Sequence, residues 1–299
     1  MPKLPTLSVI VVTYRSSSII VPCLQSIQRF NDIGDRLHVT VVDNSPTGDS
    51  TYELVCNEFP WVQAVRNPKN GGYGQGNNVG ARSSIGQYLL FLNPDTELIE
   101  PVFGFAISAF ESDSHLAVFG VQTLTADHKR APSFILRQQY VTKYPLGVPR
   151  LVSSMGHFNA KTMVCSGAAM FIRRDVFQRI GCFDEELFMY FEESDVWNRI
   201  DMLSEGWHGR FFGRKRLVHL GGSSQGMRVP EPPAFPHYDH SSARRFYDKY
   251  GLEFRPFLRY EREQAQLRVL YWRFRRKQDL CREAQLHVVE LDRMLELEK

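Results

Sequence analysis

Apolar residues in this chain fall into short β-branched runs, and stretches with helical spacing lie between them. Leu7-Ser8-Val9-Ile10-Val11-Val12-Thr13-Tyr14, Val39-Thr40-Val41-Val42 and Val62-Gln63-Ala64-Val65 each read as a buried strand. Gln87-Tyr88-Leu89-Leu90-Phe91-Leu92 is another, and Asn93-Pro94 ends it because proline cannot donate to a ladder. Further strands are expected at Ala117–Val121, across Cys165–Ile172, and briefly at Arg216–Leu220 before a glycine turn. Helical periodicity runs through Ile19, Leu24, Ile27 and Phe30, from Thr51 to Phe59, through Val102, Phe105, Ile107 and Phe110, and from Arg173 to Ile180, where Gly181 stops it. Strand and helix alternate, which predicts a mostly parallel sheet with right-handed crossovers.

Several polar positions stand where such a sheet places ligand chemistry, at the carboxyl ends of its strands. Asp95 follows the Asn93-Pro94 turn. It could hold a ligand there or simply cap the next helix. Asn70-Gly71-Gly72-Tyr73-Gly74-Gln75-Gly76-Asn77-Asn78 reads as a glycine-rich loop, either phosphate-cradling or merely flexible, leading into a helix from about Asn77 to Ser84. Glu192, Glu193 and Asp195 crowd a predicted helix start, where the macrodipole favours acids. Phe188, Tyr190, Phe191 and Trp197 around them would desolvate a carboxylate and suit it to general-base work. His219 precedes Gly-Gly-Ser at a strand end and is either a packed residue or a metal ligand. Residues 123–160 are polar and loop-rich, with Pro132, Pro145 and Pro149; acceptor contacts are assigned there by exclusion.

Composition narrows the class. The chain has 299 residues, 43% hydrophobic and 23% charged, which suits one large α/β domain with an appendage. No run is long enough to span a bilayer, and Met1-Pro2-Lys3-Leu4-Pro5 lacks a signal peptide's apolar core. Cys23, Cys56, Cys165, Cys182 and Cys281 are scattered and odd in number, as expected of reduced thiols in a cytoplasmic protein. A net charge of +3 is too weak to argue for nucleic acid, and none is expected as a partner.

Pro230, Pro232, Pro233 and Pro236 suggest a linker, so two units are expected, residues 1–240 and a helical extension over 241–299. Apolar positions at Leu267, Leu270, Phe274, Cys281, Ala284, Val288, Leu291 and Leu295 alternate by threes and fours, which predicts a coiled coil or helical hairpin and a homo-oligomer. Residues 255–282 carry nine basic side chains against three acidic, interleaved with Tyr271, Trp272 and Phe274. Such a helix suits either an anionic membrane surface or a solvated charged face.

Seven pieces in order resemble family 2 glycosyltransferases with the GT-A fold: Val-Val-Thr-Tyr at 11–14, Val-Asp-Asn at 42–44, Asn-x-Gly-Tyr-Gly-x-Gly-Asn-Asn at 70–78, Leu-Asn-Pro-Asp at 92–95, Ser-Gly-Ala at 166–168, Phe-Asp-Glu at 183–185 and Tyr-Phe-Glu-Glu-Ser-Asp at 190–195. The bacterial rhamnosyltransferase branch is the most similar. The resemblance covers about residues 7–224. It implies a Rossmann-like, mostly parallel α/β sheet with flanking helices. It also implies an inverting, metal-dependent transferase that works on O-antigen or other cell-surface polysaccharide.

Roles follow from the matched positions. Thr13, Tyr14 and Arg15 would contact the donor nucleotide, with Asp43 accepting from its pyrimidine N–H. Asn70, Gly71, Gly72 and Asn78 would line the nucleoside and diphosphate, joined by Gly167 and Ala168. Asn93 and Asp95 stand at the family's Asp-x-Asp motif, so Asp95 and His219 would bind Mg or Mn. Glu193 takes the place of the base, with Asp195 and Glu192 as alternates. Asn93 departs from the pattern by replacing the first acid.

The expected donor is dTDP-rhamnose, with UDP-galactofuranose and UDP-glucose left open. The expected acceptor is a saccharide on polyprenyl diphosphate, which would put the enzyme in the cytoplasm and peripherally on the inner membrane. The competing non-enzyme reading is a coiled-coil scaffold with a decayed transferase domain. The retained Asp43, Asp95, Glu193 and His219 speak against it.

Overall fold

A computed structural model describes residues 6–67, 69–143, 157–221 and 240–298. In chain order the described elements begin with β1 (Leu7–Thr13), α1 (Ile20–Arg29), β2 (Leu37–Asp43), α2 (Thr51–Glu58) and β3 (Gln63–Arg66). Then come α3 (Gly72–Arg82), β4 (Tyr88–Leu92), β5 (Thr96–Leu98), α4 (Phe103–Ser112) and β6 (Leu116–Leu124). The middle of the chain forms β7 (Phe134–Leu136), α5 (Gln138–Val141), β8 (Met163–Cys165), β9 (Ala169–Arg173), α6 (Arg174–Arg179) and α7 (Glu192–Asp201). The chain ends with β10 (His208–His219), α8 (His240–Lys249), α9 (Phe254–Phe274) and α10 (Gln278–Leu297).

Eight strands form one sheet in the order β3-β2-β1-β4-β9-β6-β10-β5. The β3-β2-β1-β4 half is parallel, as the alternation predicts; β9 runs antiparallel to β4 and β6, and β5 antiparallel to β10. Apolar residues fill both faces. Ile20, Leu24, Val55, Phe103 and Phe110 pack on one side, and Ala81, Phe177, Val196 and Trp197 on the other. This is why β1 and β4 read as nearly continuous apolar runs. Register sets Thr13 beside Asp43 and Val11 beside Leu92, so the carboxyl ends of three strands open on one crevice.

Three expectations change. The glycine-rich stretch is helix almost throughout, because α3 begins at Gly72 and not at Asn77. Gly72, Gly76 and Gly80 lie four apart on one face of it. A Cβ at Gly80 would sit 2.4 Å from Ile10 Cγ2, and one at Gly76 2.7 Å from Val12 Cγ1. Gly76 and Gly80 let a helix lie close on the sheet, a packing gain that outweighs their poor helix propensity. The strand expected over Cys165–Ile172 is two, β8 and β9, split by the Ser166-Gly167-Ala168 turn. The short strand near His219 is the end of a twelve-residue one, in which Gly213, Arg214 and Lys215 bulge out between Phe212 and Arg216.

The C-terminal helix breaks at 275–277 and folds back, so of the two forms the seam allowed, the hairpin is the one adopted. Ala284 and Leu291 turn inward, while Leu267, Leu270 and Phe274 face out. The helices beyond 240 are wedged into the preceding fold: Leu187 and Phe191 share a core with Phe246, Tyr247, Phe257, Leu258 and Leu291. The proline-rich linker stretch, Pro145 and Pro149 lie outside the described residues. Among the described residues no helix is long and apolar enough to cross a membrane.

Candidate active site

The Asn93–Thr96 turn is tight: Thr96 donates its N–H and its hydroxyl to Asn93 O at 3.2 and 2.7 Å. β10 pairs His219 with Thr96, and Leu220 N–H donates to Asp95 O at 3.0 Å, so the imidazole is clamped over the turn. His219 Nε2 stands 3.3 Å from Asp95 Oδ1 and 3.4 Å from Asn93 Nδ2. Both Asp95 carboxylate oxygens are buried with no hydrogen-bond partner. A buried carboxylate left unsatisfied is costly and calls for a cation. The donor set of carboxylate, imidazole and amide would suit a divalent ion. No third His, Cys, Asp or Glu joins this pair among the described residues. Beneath the turn the Cys23 thiol is pushed up to about 12 by burial, so it stays protonated and serves as packing.

The end of the crevice formed by β1 and β2 is built around Asp43. Its Oδ1 accepts from the Thr13 hydroxyl at 3.0 Å, the Ser45 hydroxyl at 2.6 Å and the Ser45 N–H at 3.1 Å. Its Oδ2 is buried and unpartnered, free to take a donor from a ligand. Tyr14 and Arg15 are exposed beside it, Arg15 in the left-handed region at φ 52°. An amide lattice absent from the sequence reading braces this end. Asn67 Nδ2 donates to Asn44 Oδ1 at 2.7 Å and to Gln75 Oε1 at 2.6 Å, while Asn44 Nδ2 reaches Gly72 O at 3.2 Å and Asn70 Oδ1 at 3.4 Å. Asn70 and Gly71 lie at its rim.

Two expected donor contacts change. Asn78 is buried and spent on the 183–185 segment: it donates to Phe183 O and Glu185 Oε1 and accepts from Phe183 N–H, each at 3.0 Å. Its amide has nothing left for a nucleoside. Gly72, at φ 86°, faces Phe188, whose O would lie 1.8 Å from an added Cβ. It admits a close backbone approach to Phe188.

The acids at the start of α7 meet this crevice through the Gly167-Ala168 turn. Glu193 Oε1 accepts from Gly167 N–H at 2.8 Å, and Ala168 O accepts from Asn93 N–H at 3.0 Å, so a single turn joins Glu193 to the Asp95 loop. The Tyr73 hydroxyl donates to Gly167 O at 2.9 Å. A side chain on Gly167 would strike Glu193 Oε1 at 2.5 Å, which explains the glycine. Glu193 is partly exposed, and burial raises its pKa. Glu192 is buried; burial first, then the Glu193 charge, pushes it well above the usual carboxylate range.

Asp195 is 0% exposed and saturated by Lys249 Nζ at 2.6 Å, the Tyr250 hydroxyl at 2.8 Å and Arg199 Nε at 2.9 Å. A carboxylate so held cannot accept a substrate proton, so Asp195 is a structural acid and leaves the base candidates. Ahead of α7, Tyr190 and Phe191 are both left-handed, at φ 69° and 74°. Such strain costs about 1–3 kcal/mol per residue and needs support. Phe246 and Phe257 pack on Phe191 at ring distances of 5.5 and 6.0 Å, and the Ser242 hydroxyl accepts from Phe188 N–H at 3.0 Å. The sequence held no local signal for these partners, which lie some fifty residues away.

A curled, mostly parallel sheet with this crevice is the GT-A fold, so the chain has the architecture of a nucleotide-sugar glycosyltransferase. Solved structures of similar form include GalNAc-T7 with UDP, GalNAc and Mn2+ (TM-score 0.60, 16% identity, 82% of this chain and 48% of that one). Another is the mannosyltransferase PcManGT from Pyrobaculum calidifontis in complex with GDP-Man and Mn2+ (TM-score 0.54, 19% identity, 73% and 57%). The chain thus spans about half the length of each. Residues 8–181 match the glycosyl transferase family 2 profile, and the chain belongs to that family. It is 22% identical over 230 residues to the rhamnosyltransferase WbbL of Escherichia coli strain K12, covering 72% of this chain and 78% of that protein. It is therefore a glycosyltransferase.

Proposed function

We propose that this chain transfers a hexose, rhamnose from dTDP-rhamnose, to a hydroxyl of a saccharide carried on polyprenyl diphosphate, with inversion at the anomeric carbon. The unpartnered Asp95 carboxylate, facing His219 and one turn from Glu193, carries the reading. The likeness to a rhamnosyltransferase supports the sugar. UDP-galactofuranose and UDP-glucose are the donors to test against it.

Thr13, Tyr14 and Arg15 flank the base, and Asp43 Oδ2 accepts its N–H. Asp95 and His219 would hold Mg or Mn, which would supply positive charge against the leaving diphosphate. Gly167 N–H fixes the Glu193 carboxylate. Glu193 takes the proton of the acceptor hydroxyl as that oxygen bonds to the anomeric carbon. The bond from that carbon to the phosphate oxygen breaks, and the nucleoside diphosphate leaves with the electron pair. Burial suits Glu193 to this role by raising its basicity. The site of action is the cytoplasmic side of the membrane that carries the acceptor.

A panel of nucleotide sugars with a lipid-linked disaccharide, read by diphosphate release, tests donor and base together. Glu193→Gln should lower turnover by about 10²–10⁴-fold while keeping donor affinity. Near-normal turnover in that variant would remove Glu193 from the mechanism.

A further inference from the structure

α9 is apolar on two faces. Phe254, Phe257, Leu258 and Ala265 turn into the core that holds Phe191. In its last two turns a second stripe faces out: Leu267, Leu270, Tyr271 and Phe274 are 48, 59, 41 and 85% exposed. Spacings of three, one and three put all four on one side of a helix. The stripe is confined to the hairpin tip, because exposed Glu263 stands one turn earlier on the same line.

The surroundings of this stripe are cationic. Arg273, Arg275, Arg276 and Lys277 are all exposed around Phe274, and Asp279 is the single acid between Arg268 and Arg282. The Arg275 guanidinium lies 5.9 Å from the Tyr271 ring. On α10 the line Arg282, Leu286, Val289, Arg293 repeats the pattern, with both apolar members more than 60% exposed.

We propose that this hairpin tip docks on an anionic lipid bilayer. Phe274, Leu270 and Leu267 enter the boundary between headgroups and acyl chains, and the tip cations meet lipid phosphates. Arginine and lysine suit that position because their stems pack on apolar surface while their heads stay wet. Charge complementarity selects this occupant over a second copy of the chain. A two-fold interface through the tip would press one cationic cluster against its twin. Docking of this tip needs only its exposure and charge and does not depend on the transfer chemistry.

Vesicle sedimentation of the full chain tests it. Protein should pellet with vesicles of phosphatidylcholine and phosphatidylglycerol in equal parts, stay in solution with phosphatidylcholine alone, and be released by salt. Leu270→Ser with Phe274→Ser should weaken partition by about tenfold or more, and Arg275→Glu with Arg276→Glu further. All four side chains are exposed, so the variants should keep the parent's circular dichroism and thermal midpoint. Equal binding to both vesicles, or binding unchanged in either pair of variants, would overturn the proposal. So would gel filtration showing an oligomer that the serine pair converts to monomer, which would give the face to a second copy.

Discussion

Three acids lie within four residues at 192–195, and the fold gives each a different condition. Glu193 is held at one oxygen by a backbone N–H and reaches solvent; Glu192 is buried beside it; Asp195 is enclosed by three donors. The sequence showed an acid-rich helix start in aromatic surroundings, but it could not rank the three, because what disqualifies Asp195 lies at Lys249 and Tyr250. Lys249 also bridges to Asp184 at 2.7 Å and so ties α8 to the base of the site. Lys249→Met should cost roughly 2 kcal/mol of stability, the worth of a buried hydrogen bond to charge. It should lower kcat more than it raises KM, since donor contacts are untouched. A denaturant melt and steady-state kinetics check both; a KM change alone would place Lys249 at the donor instead.

Elements were legible where both faces are buried. β1, β2 and β4 announced themselves as β-branched runs between turn residues. α3 was obscured because glycine argues against helix, although its stripe at 72, 76 and 80 is itself a helical period. β10 was hidden by Gly213, Arg214 and Lys215, whose bulge breaks the alternation. The hairpin of α9 and α10 was half visible: its apolar period is plain, but the fold-back turns on 275–277. Within it Glu261 is buried, and burial raises its pKa to about 7, with the Arg268 charge opposing. The folded state thus holds this proton more tightly than the unfolded chain, whose value is near 4.5. The favourable contribution is complete below 4.5 and is lost as pH climbs to about 7, a span worth roughly 3 kcal/mol. Glu261→Gln should remove this slope, so thermal midpoints of parent and variant should diverge between about pH 5 and about pH 8. Parallel midpoints across that range would show that Glu261 does not titrate with folding.

At the scale of the molecule, segments distant in sequence build one crevice. β1 and β2 bring Thr13 and Asp43, the turn after β4 brings Asp95, the end of β10 brings His219, and the β8–β9 turn presents Gly167 to Glu193. The C-terminal helices support the strained approach to α7 and carry a cationic apolar tip at their far end. The crevice was readable as a set of motifs in order, because each sits at a strand end where sheet geometry restricts residue choice. The support was not, because packing between segments fifty residues apart leaves no periodic trace. The central claim is that Asp95 and His219 form a cation site that receives the donor diphosphate. Calorimetry of dTDP binding with and without Mn2+ tests it most directly. The account predicts Mn2+-dependent binding in the parent and in Glu193→Gln, and its loss in Asp95→Ala; Mn2+-dependent binding of parental strength in Asp95→Ala would contradict it.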